Sequence, residues 1–307
     1  MTEDGDRKLV ERLAESSLRE QRARRRWGAF FRLLFFAYLF AVTGAYVFGV
    51  PGKFEMGYDK PHAAVVDISG VIAAGGKNDA LRIGGALREA FNNDAAKGVI
   101  LRINSPGGSP VESNRIYREL RRLRELHPDK KVYAVAGDYC ASGGYYIAAG
   151  ADEIYVDENS VIGSIGAVIA GFGFTGAMEK FGVERRAIAS ADGKTFLDPF
   201  SPADPRDERR AREILQSVHD NFAAAVREGR GGRLSGLPDI FSGALFSGGR
   251  GVELGLADGV GDSNYVAREV IGVQELVQYN GERDFIDELA NRLGVAIAAA
   301  LQFPSLQ

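Results

Sequence analysis

The feature that most constrains this chain is a long apolar run near its N-terminus. Arg32 is the only charged residue between Trp27 and Val50. A helix needs about 20 apolar residues to cross a membrane, and an arginine near its end can reach the headgroups. Because the run has no polar face, it predicts a transmembrane helix over residues 27–50 rather than a buried helix of a soluble domain. A signal peptide cleaved near Thr43–Ala45 is the alternative, but the long polar leader argues against it.

The charges on either side of this run predict its orientation. Residues 1–26 are polar and end in an arginine-rich cluster, whereas the residues that follow Val50 carry few basic side chains. Basic residues are retained on the cytoplasmic side of a membrane. We therefore expect a cytoplasmic N-terminus over residues 1–26, a linker over residues 51–61 and a folded domain on the opposite side of the membrane.

Beyond the linker, strand-like and helical patterns alternate. The strand-like segments are residues 62–72, 97–103, 131–136 and 153–156, and the helical patterns cover residues 79–93, 114–126, 143–149 and 207–227. Alternation at this spacing is typical of βαβ units, so the sequence predicts an α/β fold with a largely parallel sheet. A further helical pattern at residues 284–303 predicts an amphipathic helix that packs on the domain or contacts a membrane or another subunit.

Composition excludes several classes of function. The formal net charge of −3 disfavours a nucleic-acid-binding role for the whole chain. Cys140 is the single cysteine, which precludes an internal disulfide and a cysteine-rich metal site. The three histidines are too scattered to form a metal-binding motif. No metal, cofactor or nucleic-acid partner is therefore expected.

Two glycine-containing turns are candidate chemical sites, and the first is NSPGGSP at residues 104–110. It follows a strand-like segment, and Ser109 with Glu112 has the pattern of a capping box at the start of a helix. The N–H groups of Gly107 and Gly108 can then face outward and bind an oxyanion or a phosphate. A turn of this kind also occurs without any ligand.

The second turn, ASGGYY at residues 141–146, contains Ser142 between a strand and an apolar helix. A serine on such a turn can be an exposed nucleophile or can merely cap the helix. We interpret the neighbouring Cys140 as a buried, inert thiol rather than a nucleophile. No histidine has a local signature of a general base, but a desolvated lysine can serve. Lys194, just before an apolar pair, is the candidate base, and an ordinary surface lysine is the alternative interpretation.

Taken in order, the segments NSPGGSP, ASGGYYIA and VIGSIGAV and the later lysine resemble the signal peptide peptidase A family. These are bacterial membrane-anchored Ser–Lys proteases with a Clp-protease/crotonase-like fold, a βαβ superhelix. The resemblance covers roughly residues 60–270 and extends to the N-terminal anchor. It implies a protease domain over residues 62–272, followed by a C-terminal segment over residues 273–307.

The resemblance also implies roles for individual residues. Ser142 matches the nucleophile and Lys194 the general base. Gly108 matches an oxyanion donor, with the Gly143 N–H as a second donor, and Ser164 matches the hydroxyl that helps to hold the lysine. Because the family assembles in homo-oligomeric rings, Lys194 is expected to act within its own subunit or to reach a neighbour's serine.

One departure and two alternatives accompany this interpretation. The family often has Ser-Gly-x-x-Lys, whereas residues 190–194 here read SADGK, and a charge at Asp192 near the ammonium would raise the pKa of the lysine. The family match implies hydrophobic peptide substrates, such as remnant signal peptides, cleaved on the periplasmic face of the bacterial inner membrane. A crotonase-like acyl-CoA enzyme without a nucleophilic serine and a non-catalytic membrane scaffold are the alternatives.

Overall fold

The computed structural model describes residues 26–28, 30–40, 60–236 and 238–279. The chain divides into two compact units, Met1–Gly57 and Tyr58–Gln307. In the first unit, residues 30–40 are helical. Among the helices that the structure describes, none is both long enough and apolar enough to cross a membrane. Most of the predicted leader and linker, the end of the predicted span and the predicted tail helix at residues 284–303 lie outside the described residues.

The second unit is built on one mixed sheet. Its strands, in chain order, are His62–Ser69 (β1), Ala96–Ser105 (β2), Val132–Ala141 (β3), Glu153–Val156 (β4), Val161–Gly163 (β5), Leu245–Ser247 (β6), Gly259–Val260 (β7) and Glu275–Gln278 (β8). The strand order is β6-β5-β3-β2-β1-β8, and β4 pairs with both β3 and β7. All of these pairs are parallel except β5 with β6. The predicted α/β class with a largely parallel sheet is therefore confirmed.

Helices of very different lengths connect the strands. The α-helices are Ala80–Asn92 (α1), Pro110–Leu126 (α2), Gly143–Ala148 (α3), Thr175–Lys180 (α4), Pro205–Arg230 (α5), Gly248–Glu253 (α6) and Ser263–Tyr265 (α7). Short 3-10 helices lie at Asp192–Thr195, Gly231–Arg233 and Pro238–Phe241, and a π-helix lies at Val266–Ile271. Asp79 starts α1 by accepting a hydrogen bond from the N–H of Arg82, and Pro110 occupies the first turn of α2.

The central strands are buried on both faces, which explains their nearly continuous apolar sequences. Helices α1, α2 and α3 cover one face around Val66, Leu101 and Ala134. The π-helix covers part of the other face around Val65 and Ile100. The last strand, β8, comes from the C-terminal segment and pairs with β1, so this segment contributes to the sheet.

The long helix α5 extends further than the sequence pattern predicts, and the pattern is wrong about one of its residues. Helical spacing places Ile214 on the inward face with Phe222 and Val226, but 48% of Ile214 is exposed whereas the other two are buried. The C-terminal half of α5 packs on the domain through these buried residues. The N-terminal half is mostly exposed, so none of the described elements covers an apolar residue there.

A buried ion pair fastens the C-terminal end of α5. Arg230 is 1% exposed, and its Nη1 and Nη2 atoms donate to the two carboxylate oxygens of Asp258 at 2.7 and 2.9 Å. Burial alone would raise the pKa of Asp258, but the hydrogen bond and charge of Arg230 outweigh it and lower that pKa. Asp258 also accepts from the N–H of Ile154, so the pair connects α5 to the sheet.

Candidate active site

Ser142 lies at the turn between β3 and α3 in an unusual backbone conformation. Its φ of 50° and ψ of −121° lie outside the regions that residues with a side chain normally adopt. Its N–H donates to the carbonyl of Gly163 at 2.9 Å, which ties the turn to β5. Ser142 occupies the N-cap position of α3, but its side chain makes no capping hydrogen bond. The hydroxyl is therefore not used to cap the helix, and the strained turn resembles those that present nucleophiles.

The first glycine of the NSPGGSP turn lies directly against this serine. A Cβ atom added to Gly107 would come within 2.7 Å of the Ser142 Cβ, 3.0 Å of its Oγ and 2.8 Å of the Gly143 nitrogen. Gly107 also has a φ of +106°. Only glycine fits here, because both the backbone conformation and the space exclude a side chain.

Two main-chain N–H groups adjoin Ser142. The N–H of Gly143 is at the first position of α3 and has no acceptor within the helix. A Cβ atom on Gly143 would lie only 3.3 Å from the Gly108 nitrogen, so the two N–H groups are close together. Neither group donates to a main-chain acceptor among the residues that the structure describes. This pair can stabilise negative charge that develops beside the serine.

A cavity of about 150 Å³ adjoins the serine. It is lined by Gly108, Pro110, Val111, Asn114, Ser142, Gly143, Tyr146, Gly166, Val218, Asn221 and Phe222. The rings of Tyr146 and Phe222 stack at a centroid distance of 4.7 Å and give the cavity an aromatic wall. Asn114 accepts a hydrogen bond from the hydroxyl of Tyr146 at 3.2 Å. The cavity can thus receive a mostly apolar side chain next to the serine.

Ser164 follows the strand that pairs with the strand before Ser142. It follows Gly163, which is opposite Ala141 in the pairing of β3 with β5. Its N–H donates to the carbonyl of Ala244 at 2.7 Å, and its φ of +52° marks a second tight turn. The two serines therefore lie at the same edge of the sheet.

Lys194 is placed differently. It lies in the 3-10 helix Asp192–Thr195 with an exposed side chain, and it is not among the residues that line the cavity beside Ser142. The structure therefore brings together Ser142, Gly108 and Gly143 around one cavity, with Ser164 at the same edge of the sheet, whereas Lys194 does not line that cavity.

The segment that carries Lys194 exposes an unusual number of large apolar side chains. These are Val168, Ile169, Phe172, Phe174, Phe181, Val183, Ile188, Leu197 and Phe200. Isolated apolar residues are common on protein surfaces, but so many in one segment are typical of an interaction surface.

Cys140 is buried at 1% exposure, and burial raises the pKa of its thiol to about 12. The prediction of a buried thiol is confirmed. Sequence reasoning missed the steric role of Gly107 and the part played by the loop after β1, which contacts the NSPGGSP turn. The glycine pair in NSPGGSP was the available signal for the steric role of Gly107. No sequence pattern indicated that the loop after β1 contacts this turn.

A serine hydroxyl that makes no capping hydrogen bond, on a strained strand–helix turn next to paired main-chain donors, is typical of a hydrolase of the serine class. Residues 124–276 match the family model described as peptidase family S49. The chain is also 31% identical over 198 residues to the Synechocystis protease slr0021, covering 64% of this chain and 69% of that protein. The chain belongs to peptidase family S49.

Two other relatives are similar to this chain over part of their length. The chain is 34% identical over 177 residues to an Enterococcus faecium protein named as a signal peptide peptidase SppA, covering 58% of this chain and 51% of that protein. It is 39% identical over 238 residues to a Brucella abortus protein named Na(+)/H(+) antiporter NhaA, covering 76% of this chain and 32% of that protein. The chain thus spans about a third to a half of the length of these two relatives.

Among solved structures, the chain matches a serine-to-alanine mutant of the 1510-N membrane-bound stomatin-specific protease. The sequence identity is 15% and the TM-score is 0.40, and the match covers 71% of this chain and 97% of the other.

The resemblance to the signal peptide peptidase A family is confirmed by the family match and by the named relatives.

Proposed function

We propose that this chain is a membrane-anchored serine endopeptidase that uses Ser142 as its nucleophile and Lys194 as its general base. The observation that carries the proposal is the geometry of Ser142. Its hydroxyl does not cap α3, and it adjoins the N–H groups of Gly108 and Gly143. This is the arrangement that acyl transfer requires, because the tetrahedral intermediate needs both a nucleophile and donors for its oxyanion.

The reaction proceeds in two halves. Neutral Lys194 accepts the proton of the Ser142 hydroxyl as the oxygen attacks the peptide carbonyl, and the Gly108 and Gly143 N–H groups hold the oxyanion. The amine leaves with the proton from Lys194, and an ester to Ser142 remains. Water then attacks this ester while Lys194 accepts its proton, and Ser142 is regenerated by the return of that proton. An arginine cannot replace the lysine because it does not deprotonate.

We further propose that the lysine of one copy serves the serine of the next. Two observations support this: Lys194 is exposed and absent from the cavity of its own chain, and its segment exposes many apolar side chains. A second copy that packs on this segment would cover these side chains and desolvate the lysine, which lowers a lysine pKa. A head-to-tail contact of this kind closes into a ring, with Ser164 assisting the lysine.

The proposed substrates are hydrophobic peptides, such as signal peptide remnants. The aromatic wall formed by Tyr146 and Phe222 and the exposed Val111 at the cavity support an apolar residue beside the scissile bond. Anchoring by residues 27–50 would hold the domain at the periplasmic face of a bacterial inner membrane, where such peptides are released. No cofactor takes part in these steps.

The test uses four preparations of the full chain with a fluorogenic apolar peptide and a fluorophosphonate probe. Ser142→Ala should lose at least roughly 10⁴-fold in kcat and all probe labelling. Lys194→Ala and Lys194→Arg should lose similar activity, because the second variant keeps the charge but cannot act as a base. Full activity in any of the three would refute the dyad. Binding of a CoA thioester without probe labelling would favour the acyl-CoA enzyme instead.

The fourth preparation, co-expressed Ser142→Ala and Lys194→Ala chains, tests whether the lysine acts between subunits. In a randomly mixed ring, about a quarter of the sites combine an intact serine with a neighbour's intact lysine, so activity should reappear. If the mixture stays inactive although the two chains co-purify, the lysine acts within its own chain.

A further inference from the structure

The loop between β1 and α1, residues 70–79, packs against the outer side of the NSPGGSP turn. The N–H of Ile72 donates to the carbonyl of Gly107 at 3.0 Å, and the carbonyl of Ile72 accepts from the N–H of Ser109 at 2.7 Å. Ile72 and Gly108 therefore form an isolated parallel bridge. One residue of the loop thus holds both neighbours of Gly108.

This bridge determines the direction of the Gly108 N–H. In an extended segment, successive N–H and C=O groups alternate between the two sides. Because Gly107 and Ser109 bond to Ile72, the N–H of Gly108 must point to the opposite side, toward Gly143. The contact is tight, since a Cβ atom on Gly108 would lie 2.1 Å from the Ile72 carbonyl oxygen. Any shift of Ile72 consequently moves the oxyanion donor.

Asn78 closes this loop. The side chain is 5% exposed, and its Nδ2 donates to the carbonyls of Ser69 at 2.7 Å and Val71 at 3.3 Å. Both neighbours are acceptors, so the amide nitrogen must face them. These bonds join Asn78, near the end of the loop, to Ser69 and Val71, the residues on either side of Gly70. Val71 immediately precedes Ile72.

The far end of the loop is attached to α2. The sequence predicts that Glu112 completes a capping box by accepting from the N–H of Ser109, and this half of the prediction is wrong. Ser109 donates to Ile72, and the Glu112 carboxylate accepts from the N–H of Ala80 at 2.7 Å. Glu112 is 4% exposed, so it forms a buried connection between the starts of α1 and α2. The loop is consequently held at both ends.

We infer that Asn78 is a positioning residue for peptide hydrolysis, which directs the Gly108 N–H at the oxyanion through the Ile72 bridge. This inference rests on the proposed function. Asn78 touches neither the cavity nor Ser142, and it acts only through the loop. Its removal should weaken stabilisation of the tetrahedral intermediate while leaving substrate binding in place.

The experiment compares Asn78→Ala with Asn93→Ala in the full chain. Asn93 lies just past the opposite end of α1, and its side-chain amide donates to the hydroxyl of Tyr279 at 2.9 Å. Asn93→Ala therefore also removes an amide hydrogen bond and serves as the control. Asn78→Ala should lower kcat about 10- to 100-fold with KM nearly unchanged, since a full oxyanion donor is worth about 10²–10³. Asn93→Ala should keep kcat. Asn78→Asp, which keeps the volume but not the donors, replaces Asn78→Ala if that variant does not fold.

Two inhibitors separate positioning from general damage. A peptide aldehyde forms a hemiacetal with Ser142 and places an oxygen at the Gly108 N–H, whereas the matching peptide alcohol does not. The aldehyde Ki should rise in proportion to the loss in kcat, and the alcohol Ki should stay constant. Equal changes for both inhibitors, or a loss in kcat no larger than that of Asn93→Ala, would overturn the inference.

Hydrogen exchange supplies a readout that needs no activity. Peptides that span residues 103–109 should exchange faster in Asn78→Ala than in Asn93→Ala, and unchanged exchange would overturn the inference. If the unmodified protein neither cleaves peptides nor binds the aldehyde, the proposed function fails, and the exchange result still decides whether Asn78 holds the turn.

Discussion

Replacing Gly107 by alanine is the sharpest test of the site, because its effect can be worked out from the structure. The new methyl group would lie 2.7 Å from the Ser142 Cβ and 2.8 Å from the Gly143 nitrogen. Ordinary contacts between carbon atoms are about 3.5–4.0 Å, so the serine turn must move by about 0.8 Å. A displacement of about 1 Å in an active site can cost 10²-fold in rate. With the loss of an aligned donor, kcat should fall by about 10²–10³.

The assay compares kcat for a fluorogenic peptide with the free energy of unfolding in urea. Gly107 has a φ of +106°, so alanine also introduces backbone strain of about 1–3 kcal/mol. Gly272→Ala is the control, because Gly272 has a φ of +83° but, among the residues that the structure describes, no atom outside Gly272 and its two chain neighbours lies within 4 Å of the added Cβ. It should lose stability and keep its activity. A Gly107→Ala protein whose kcat stays within about threefold of this control, at equal folded fraction, would refute the reasoning.

Two further predictions concern charges that the fold depends on. Arg230→Met should lower the free energy of unfolding in urea by about 1–3 kcal/mol, because it removes two charge-assisted hydrogen bonds and leaves the Asp258 carboxylate with only Arg233 and the N–H of Ile154 as partners; a loss below about 0.5 kcal/mol would show that the pair is not needed. Glu119 has a pKa lowered to about 2 by its hydrogen bond to Arg122, with a smaller contribution from Arg88. A lowered pKa means that the ionised group stabilises the fold above its unfolded pKa of about 4.3 and loses this effect as the pH falls toward about 2. Glu119→Gln should therefore reduce the dependence of the denaturation midpoint on pH between about 2 and 5, and parallel curves for the two proteins would contradict the assignment.

The core of the fold could be predicted from the sequence because its strands and helices are long. The apolar runs in β1, β2 and β3 and the periodic apolar faces of α1 and α2 are strong local signals. The strands β5, β6 and β7 contain only two or three residues, too few for any periodicity. They are determined by contacts that are distant in sequence, such as the pairing of Gly163 with Leu245.

The site could be predicted in part for the same reason. A strand, a glycine-containing turn and a helix are local features, and both predicted turns adjoin one another at the edge of the sheet. The loop that carries Asn78 could not be predicted, because its role depends on a bridge between Ile72 and Gly108. The role of Lys194 stays a prediction, since its side chain is exposed and does not line the cavity beside Ser142. Ile214 illustrates the same limit: periodicity identifies an apolar position but not what covers it.

The backbone of Ser142 has a consequence for trapping the molecule with a peptide. Its φ of 50° and ψ of −121° belong to a conformation that glycine adopts without strain, so serine holds it at a cost of about 1–3 kcal/mol. Ser142→Ala removes the hydroxyl but keeps this backbone strain, whereas Ser142→Gly relieves it. Ser142→Gly should therefore have a higher free energy of unfolding than Ser142→Ala. This makes the glycine variant the better choice for capturing a peptide that is not cleaved.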